Sequence, residues 1–413
     1  MFEDVCNKGT WLIGVSGGPD SMALLSMCME ADIKVAVAHV NYHMREQADR
    51  EQAYVQAYCQ EHGIVCHVLD KPFTYTHNFE AEARDHRYEF FVSLVQEHHY
   101  VGIMTAHHRD DLLETYIMQK ERNVIPTYYG MQRSSYFHGV KLYRPLLDLT
   151  KQDLEVYCQN KGIRYYIDHT NLETVHTRNR IRHEMLSFSQ DQKRALYDKI
   201  VMENAALAAV RQQAAMFLKD GLLDLKCYRN APMEVRLTAL RMLIDPAGNS
   251  HRTKKHLAQV DEVICKQRDF CIGFEERELV QCGDMAYMQV IPHPYRQPLS
   301  EGSGNYFIVA KEGRSTERVA YDDREMPLYV RNFQEGDKIV MRYGTKSIHR
   351  FFIDRRIPKG MRKSWPIVVN KDDEIVLVPG LGCSADHWQR DHEIFVKYKE
   401  DGRLQTNVIP KVK

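Results

Sequence analysis

Hydrophobic positions change their spacing as the chain is followed from its N-terminus. Through the first 170 or so residues, short apolar runs alternate with amphipathic stretches. Leu12-Ile13-Gly14-Val15, residues 35–40, residues 65–69 and residues 101–106 read as buried strands, and Tyr165-Tyr166-Ile167 as a fifth. Between them, residues 22–29 form a nearly all-apolar helix and residues 47–62 a polar one. Phe90, Phe91, Leu94 and Val95 share one helix face. Residues 142–147 read as an extended segment leading to a helix with Thr150 as N-cap and Gly162 just past its end. This alternation predicts an α/β fold: a doubly wound, mostly parallel, five-stranded sheet covered on both faces. Near residue 185 the pattern changes. Residues 191–218 read as one long helix, 233–243 and 256–265 as two more, and 271–291 as short strands. A turn-rich stretch at 297–305 makes a hairpin loop or a linker. From about residue 326, short runs such as Ile367-Val368-Val369 indicate a small mixed α/β domain. The expected boundaries are therefore 1–188 for the sheet domain, 189–325 for a largely helical middle domain and 326–413 for the C-terminal domain.

Composition narrows the class. Hydrophobic residues make up 44% and charged residues 27%, which suits a chain that builds buried cores. Lys+Arg and Asp+Glu both total 56, so a uniformly basic nucleic-acid coat is excluded, while a local basic face is not. No apolar run approaches the ~18 residues of a membrane span. The opening Met1-Phe2-Glu3-Asp4 is acidic where a secretory leader is basic. None of the ten Cys form a Cys-x-x-Cys pair, and they read as reduced, mostly buried thiols of a cytoplasmic protein.

The stretch with the most chemistry is Ser16-Gly17-Gly18-Pro19-Asp20-Ser21, placed between the first strand and the first helix. It matches neither the Walker pattern nor Gly-x-Gly-x-x-Gly. It still favours an anion: two glycines allow a tight turn and close approach, two serines add hydroxyls, and the following helix presents free N–H groups and a positive dipole end. Asp20 beside a phosphate is unfavourable unless a Mg²⁺ lies between them, so the loop reads as a site for a metal–nucleotide complex. A plain strand–turn–helix connection capped by Ser16 or Asp20 is the alternative. The loop resembles that of PP-loop ATP pyrophosphatases, a HUP-like fold whose members cleave ATP between the α- and β-phosphates.

Four further motifs sharpen the resemblance. His39-Val40-Asn41-Tyr42-His43-Met44-Arg45 follows the second strand, and residues 82–90, Glu-Ala-Arg-Asp-His-Arg-Tyr-Glu-Phe, open the helix after the third. Residues 105–115, Thr-Ala-His-His-Arg-Asp-Asp-Leu-Leu-Glu-Thr, end the fourth strand, and Arg178-Asn179-Arg180-Ile181-Arg182-His183-Glu184 follows Asp168-His169-Thr170-Asn171. In this order they resemble the tRNA(Ile)-lysidine synthetase family. So do Val330–Asp337, Phe351–Pro358, Trp365-Pro366 and Val378-Pro379-Gly380 in the last part. Tyr42, Leu112 and the run Gln119–Asn123 depart from the more usual residues of that family.

The resemblance implies an ATP-dependent ligase with Mg²⁺, in the cytoplasm, with no membrane and with a homodimer left open. A cytidine C2 oxygen in the CAU anticodon of tRNA(Ile) attacks the α-phosphorus of ATP, and free L-lysine then displaces AMP. Ser16, Gly17, Gly18, Pro19, Asp20 and Ser21 would hold the pyrophosphate, Asp20 through the metal, with His39 and Asn41 beside the nucleoside. Asp110 and Asp111 would bind the lysine ammonium or a second Mg²⁺, and one carboxylate would help neutralise an amine whose pKa is near ~10.4. Arg178 and Arg182, four residues apart, would clamp the α-phosphate or tRNA. Arg84 and Arg87 would face the nucleotide or tRNA. The basic, aromatic-interleaved segment 342–363 supplies Arg350, Arg355, Arg356 and Arg362 for tRNA phosphates.

Plainer roles stand beside these: a zinc site at His107-His108-Asp110-Asp111, Asp110 or Asp111 as a helix cap, and solvated charge for the arginines. Competing activities are a PP-loop tRNA thiolase, which in its cytidine-specific form needs a Cys-x-x-Cys pair absent here, a small-molecule amidating ligase, and a non-catalytic RNA-binding module.

Overall fold

The computed structural model describes residues 2, 9–43, 47–71, 79–166, 177–246, 248 and 252–399. The chain divides into two compact units, Met1–Ala208 and Ala209–Lys413.

The first unit is built on one sheet. Its elements in chain order are β1 (Trp11–Gly14), α1 (Pro19–Glu30), β2 (Val35–Asn41), α2 (Ala48–Glu61), β3 (Val65–Asp70), α3 (Phe79–Glu97), β4 (Ile103–Met104), α4 (Arg109–Glu121), β5 (Ser134–Phe137), β6 (Val140–Tyr143), α5 (Lys151–Asn160), α6 (Thr177–Met185) and the start of α7 (Gln190–Ala215). Strand order is β3-β2-β1-β4-β6-β5 among the described residues. All neighbours are parallel except β5, which runs antiparallel at the edge. The sheet thus has five parallel strands plus one, not five in all. The fifth parallel strand is Val140–Tyr143 rather than Tyr165–Ile167. Tyr165 and Tyr166 are not in a strand, and Ile167 lies outside the described residues.

Two apolar layers cover the sheet, as expected where helices lie on both faces. On one side Trp11, Ile13, Val37, Met104 and Tyr143 pack with Met22, Leu25, Val55 and Leu154 of α1, α2 and α5. On the other, Leu12, Ala36, Ala38 and Ile103 meet Tyr88, Phe91 and Leu94 of α3. Thr150 caps α5 as the sequence indicates, accepting from Asp153 N, and Gly162 follows its end at φ +66°. A third cluster joins α4, α6 and α7 through Leu113, Tyr116, Ile181, Met185 and Ile200.

The second unit carries helices Leu225–Asn230, Met233–Ile244 and Lys254–Lys266 next to an antiparallel sheet that includes Cys271–Phe274, Arg277–Cys282 and Met285–Val290. A further sheet orders Arg296–Pro298, Tyr329–Asn332, Pro366–Val369, Ile375–Val378 and Gly382–Cys383. The stretch read as a hairpin loop or linker thus begins with a strand, paired to Tyr329–Asn332. Phe351, Phe352, Ile357, Trp365 and Ile367 form the core around helix Ile348–Asp354. No helix among the described residues is long and apolar enough to cross a membrane. Every described cysteine is a free thiol.

Candidate active site

The strand order reverses between β1 and β4, and the carboxyl ends of those strands open the crevice where open α/β sheets bind ligands. The first wall is the loop after β1. Gly17 has φ +86°, a left-handed conformation that glycine adopts without strain, and its carbonyl accepts from Tyr166 N at 3.0 Å. Ser21 Oγ donates to Gly18 O at 3.1 Å and accepts from Ser16 N at 3.2 Å, so the loop folds back on the first turn of α1. Gly18, the N-cap, provides no side-chain cap, and Pro19 has no N–H to offer. The remaining N–H groups of that turn face the crevice end of α1 uncapped, which suits an anion.

Asp20 stands in this first turn. Burial raises its carboxyl above the usual range, against the opposing pull of His108. Oδ2 lies 3.7 Å from His108 Nε2, and buried Oδ1 has no hydrogen-bond partner. A buried carboxylate oxygen left without a protein donor, in the first turn beside the anion cradle, is the group that would hold a Mg²⁺.

The opposite wall is the start of α4. Asp111 Oδ2 accepts the His108 backbone N–H at 3.1 Å and lies 3.4 Å from its Nε2, while Oδ1 receives Arg178 Nη2 at 3.0 Å. Burial would raise Asp111, but His108 and Arg178 overcome it and hold the carboxyl low. Asp110 points elsewhere: Oδ1 accepts Lys193 Nζ at 2.7 Å and Oδ2 accepts Lys151 N at 3.0 Å. The two adjacent aspartates are thus split between two tasks. Asp111 faces Arg178, whereas Asp110 ties α7 and the N-terminus of α5 to α4.

Glu114 is a residue the sequence reading quoted without a role. It is 2% exposed, accepts Arg178 Nε at 2.9 Å, and receives Arg182 Nε and Nη2 at 2.8 and 3.2 Å. Arg178 and Arg182 do share a face, and that face is anchored on Glu114. The available signal was spacing: Asp111 and Glu114 are three apart and lie on one side of α4.

Other predicted residues are placed as follows. His39 is buried, and its Nδ1 donates to Val15 O at 2.8 Å, which fixes the tautomer because a carbonyl only accepts. Burial holds its pKa below the usual value. Asn41 donates to Asp49 Oδ1 and Gln52 Oε1 at 2.9 and 2.8 Å and accepts from His43 N at 2.8 Å, bracing the end of β2 against α2. Arg84 and Arg87 are exposed on α3, with Arg84 over the Tyr88 ring at 5.1 Å. His107 is bonded to Thr105 Oγ1 at 2.8 Å, and burial pushes its pKa down. Among the described residues no group of three or more His, Cys, Asp or Glu side chains is placed to hold a metal. Met44, Arg45 and the 168–171 motif lie outside the described residues. In the second unit, Arg350 pairs with Asp354 at 3.2 Å, Arg362 binds Asp269 at 3.2 Å and Ile357 O at 2.8 Å, and Arg356 is exposed. These residues are not brought to the crevice residues within one unit.

Two family models match different parts of the chain. The PP-loop domain family matches residues 1–188, and the TilS substrate C-terminal domain family matches residues 328–398. The tRNA(Ile)-lysidine synthase of Bacillus licheniformis is 27% identical across 90% of this chain and 89% of its own length. That of Geobacillus kaustophilus is 28% identical across 91% of each. The chain belongs to the tRNA(Ile)-lysidine synthetase family. A further member, from Ureaplasma parvum, is 38% identical over 46% of this chain and 58% of its own length. The PP-loop match falls within the first unit and the TilS substrate C-terminal match within the second.

Proposed function

We propose that this chain ligates free lysine to C2 of the wobble cytidine in the CAU anticodon of tRNA(Ile), with ATP cleaved to AMP and pyrophosphate, so that the tRNA reads AUA as isoleucine. The observation that carries this reading is the meeting, at the β1/β4 crevice, of an uncapped phosphate loop, an unpartnered Asp20 oxygen and the Asp111–Glu114–Arg178–Arg182 cluster, in a chain that also has the substrate domain of the family.

A cytosine C2 is a poor electrophile and its oxygen a poor leaving group. Transfer of AMP onto that oxygen corrects both. The carbonyl oxygen attacks the α-phosphorus and pyrophosphate departs. The lysine ε-amine, having lost one proton, attacks C2, and the oxygen leaves with AMP. The protein's task is positioning and charge stabilisation.

The Gly17–Ser21 turn holds the departing pyrophosphate on backbone N–H groups and hydroxyls. Asp20 holds Mg²⁺, which when bound neutralises charge on the phosphates. Arg178 and Arg182, locked in orientation by Glu114, present their remaining N–H groups to the α-phosphate. His39, neutral and fixed in one tautomer, shapes the floor next to the nucleoside. Asp110 is paired with Lys193 and Asp111 with Arg178 and the His108 N–H; Asp111, on the side of the arginine cluster, is the carboxylate that would receive the lysine ammonium, sharing its oxygens with Arg178. Its depressed pKa suits holding a cation better than removing a proton. ATP and tRNA as substrates support a cytoplasmic setting for the reaction.

The test is incorporation of labelled lysine into acid-precipitable tRNA with ATP and Mg²⁺ present. The expected result is stoichiometric AMP and pyrophosphate and no incorporation when the anticodon C is replaced. Turnover that requires a sulfur donor, or none with lysine, overturns the reading.

A further inference from the structure

A short strap, residues 163–166, runs from the end of α5 to the phosphate loop and lies in neither helix nor strand. Without a helix or sheet ladder, its backbone groups must find partners one by one. Ile163 N donates to Cys158 O at 2.9 Å, and Tyr166 N donates to Gly17 O at 3.0 Å. Between these ends the Arg164 carbonyl accepts the Tyr54 hydroxyl at 2.5 Å, a bond that spans 110 residues of chain to α2. The Tyr54 ring also stands edge-on to Tyr166, with centroids 5.8 Å apart at 67°. The Arg164 guanidinium lies 6.0 Å from the Tyr54 ring and 5.2 Å from the Tyr166 ring. Hydroxyl, ring and cation thus fix Arg164 and Tyr166 against one side chain of α2.

The same helix backs the loop itself. A Cβ on Gly17 would meet Glu51 Cβ and Val55 Cγ2 at 3.6 Å, and these residues stand on either side of Tyr54 in α2. The strap then sets what the loop presents. A peptide is planar and trans, so its C=O and N–H point in opposite directions. Holding Gly17 O on the Tyr166 amide therefore turns the N–H of the same peptide, that of Gly18, away from the strap. That N–H reaches Ser16 Oγ only at 3.4 Å, too long to engage it fully. It is one of the backbone donors of the anion cradle.

We propose that Tyr54 is a positioning residue for ATP use: its hydroxyl sets the strap, the Tyr166 amide sets the Gly17–Gly18 peptide plane, and that plane aims the Gly18 N–H at the pyrophosphate group. This rests on the ATP reading of the loop given above. Tyr54 itself touches no substrate. The Gly18 donor serves bound ATP and departing pyrophosphate alike, so loosening it weakens binding and leaves the chemical step nearly unchanged.

The test uses the full chain. Tyr54→Phe removes the hydroxyl and keeps the ring. Calorimetric titration with inorganic pyrophosphate and Mg²⁺ should show about tenfold weaker binding, the equivalent of one hydrogen bond. KM for ATP in the lysine-incorporation assay should rise by a similar factor, with kcat within about twofold of wild type. Hydrogen exchange at the Tyr166 amide should quicken about tenfold, which reads the strap directly. Tyr58→Phe is the control: Tyr58 lies one turn further along α2, stacked on His62 at 4.3 Å, and should leave all three readouts unchanged. Wild-type affinity and wild-type Tyr166 exchange in Tyr54→Phe overturn the assignment. So does an equal loss of affinity in both variants, which makes the effect one of packing. If the wild-type chain binds no pyrophosphate, the ATP reading of the loop fails; if it binds and Tyr54→Phe matches it, only the role of Tyr54 fails.

Discussion

Lys193 closes on Asp110 across 83 residues of chain, its Nζ 2.7 Å from Oδ1. Burial alone would raise this carboxyl, yet the Lys193 ammonium and the Lys151 amide overcome it and hold it below the usual range. A carboxylate with a depressed folded-state pKa adds stability above its unfolded pKa, near ~3.9, and loses it as pH falls. Lys193→Met keeps the arm and removes the charge. The expected loss is roughly 2 kcal/mol at pH 7, because a buried acceptor loses its donor, and the deficit should persist down to about pH 4 and shrink below it. Urea unfolding followed through Trp11, a core residue of the first unit, measures it. A deficit independent of pH would mean that the pair is not its source.

Asp20 is held the other way, raised by burial despite His108. Stability linked to a raised carboxyl is complete below the unfolded pKa and is lost as pH rises through the folded one. Asp20→Asn removes the buried charge while keeping the shape. The unliganded protein should melt about 2 °C higher at pH 7 and no higher at pH 4. Pyrophosphate release should fall to background, with tRNA binding within a few-fold of wild type. Retained release would take Asp20 out of the metal-holding role.

These two residues differ in how far the sequence revealed them. Asp20 belongs to a contiguous motif in the one turn where an anion site forms, so its place was legible. Lys193 meets Asp110 only after α7 packs on α4, and no local pattern encodes a contact between residues so far apart. The sheet shows the same contrast. Strands near residues 12, 36 and 66 were legible as buried apolar runs between helical stretches. The β5–β6 hairpin was not, because its two-residue turn is His138-Gly139, with φ of +46° and +79°. Asn or Asp usually fills the first position of such a turn, so the signal was weak. Tyr165-Tyr166 looked like a strand because it is apolar and aromatic. Its apolar surface instead packs beside α2, and its backbone braces the phosphate loop through Tyr166 N and Gly17 O.

Glu114 tests whether the arginines need their anchor. It is buried between Arg178 and Arg182, and breaking a buried ion pair from one side costs about 3–5 kcal/mol. Glu114→Gln retains one acceptor oxygen and loses the charge. Stability should fall toward the lower end of that range. The maximal rate of adenylation should drop about a hundredfold as both guanidinium groups lose their fixed orientation. Rapid-quench measurement of AMP transfer at saturating ATP reads this directly. A variant that loses stability but keeps the rate would reduce Glu114 to a packing role.

Salt dependence separates the C-terminal arginines that are free for RNA from those already engaged. Each neutralised phosphate contributes about −0.7 to the slope of log affinity against log salt on single strands. Arg355 is half-buried and Arg356 is exposed, and neither has an ion-pair partner among the described residues. Reversing both to Glu should weaken tRNA binding and flatten the slope by about 1.4, twice the single-contact value. Arg362 provides the contrast, because Asp269 and the Ile357 carbonyl already occupy its guanidinium. Arg362→Ala should lower the melting temperature and leave the slope unchanged. Filter binding across a salt series decides both. If the double reversal leaves the slope intact, the RNA phosphates lie on another face, and if Arg362→Ala flattens it, that guanidinium exchanges its internal partners for RNA on binding.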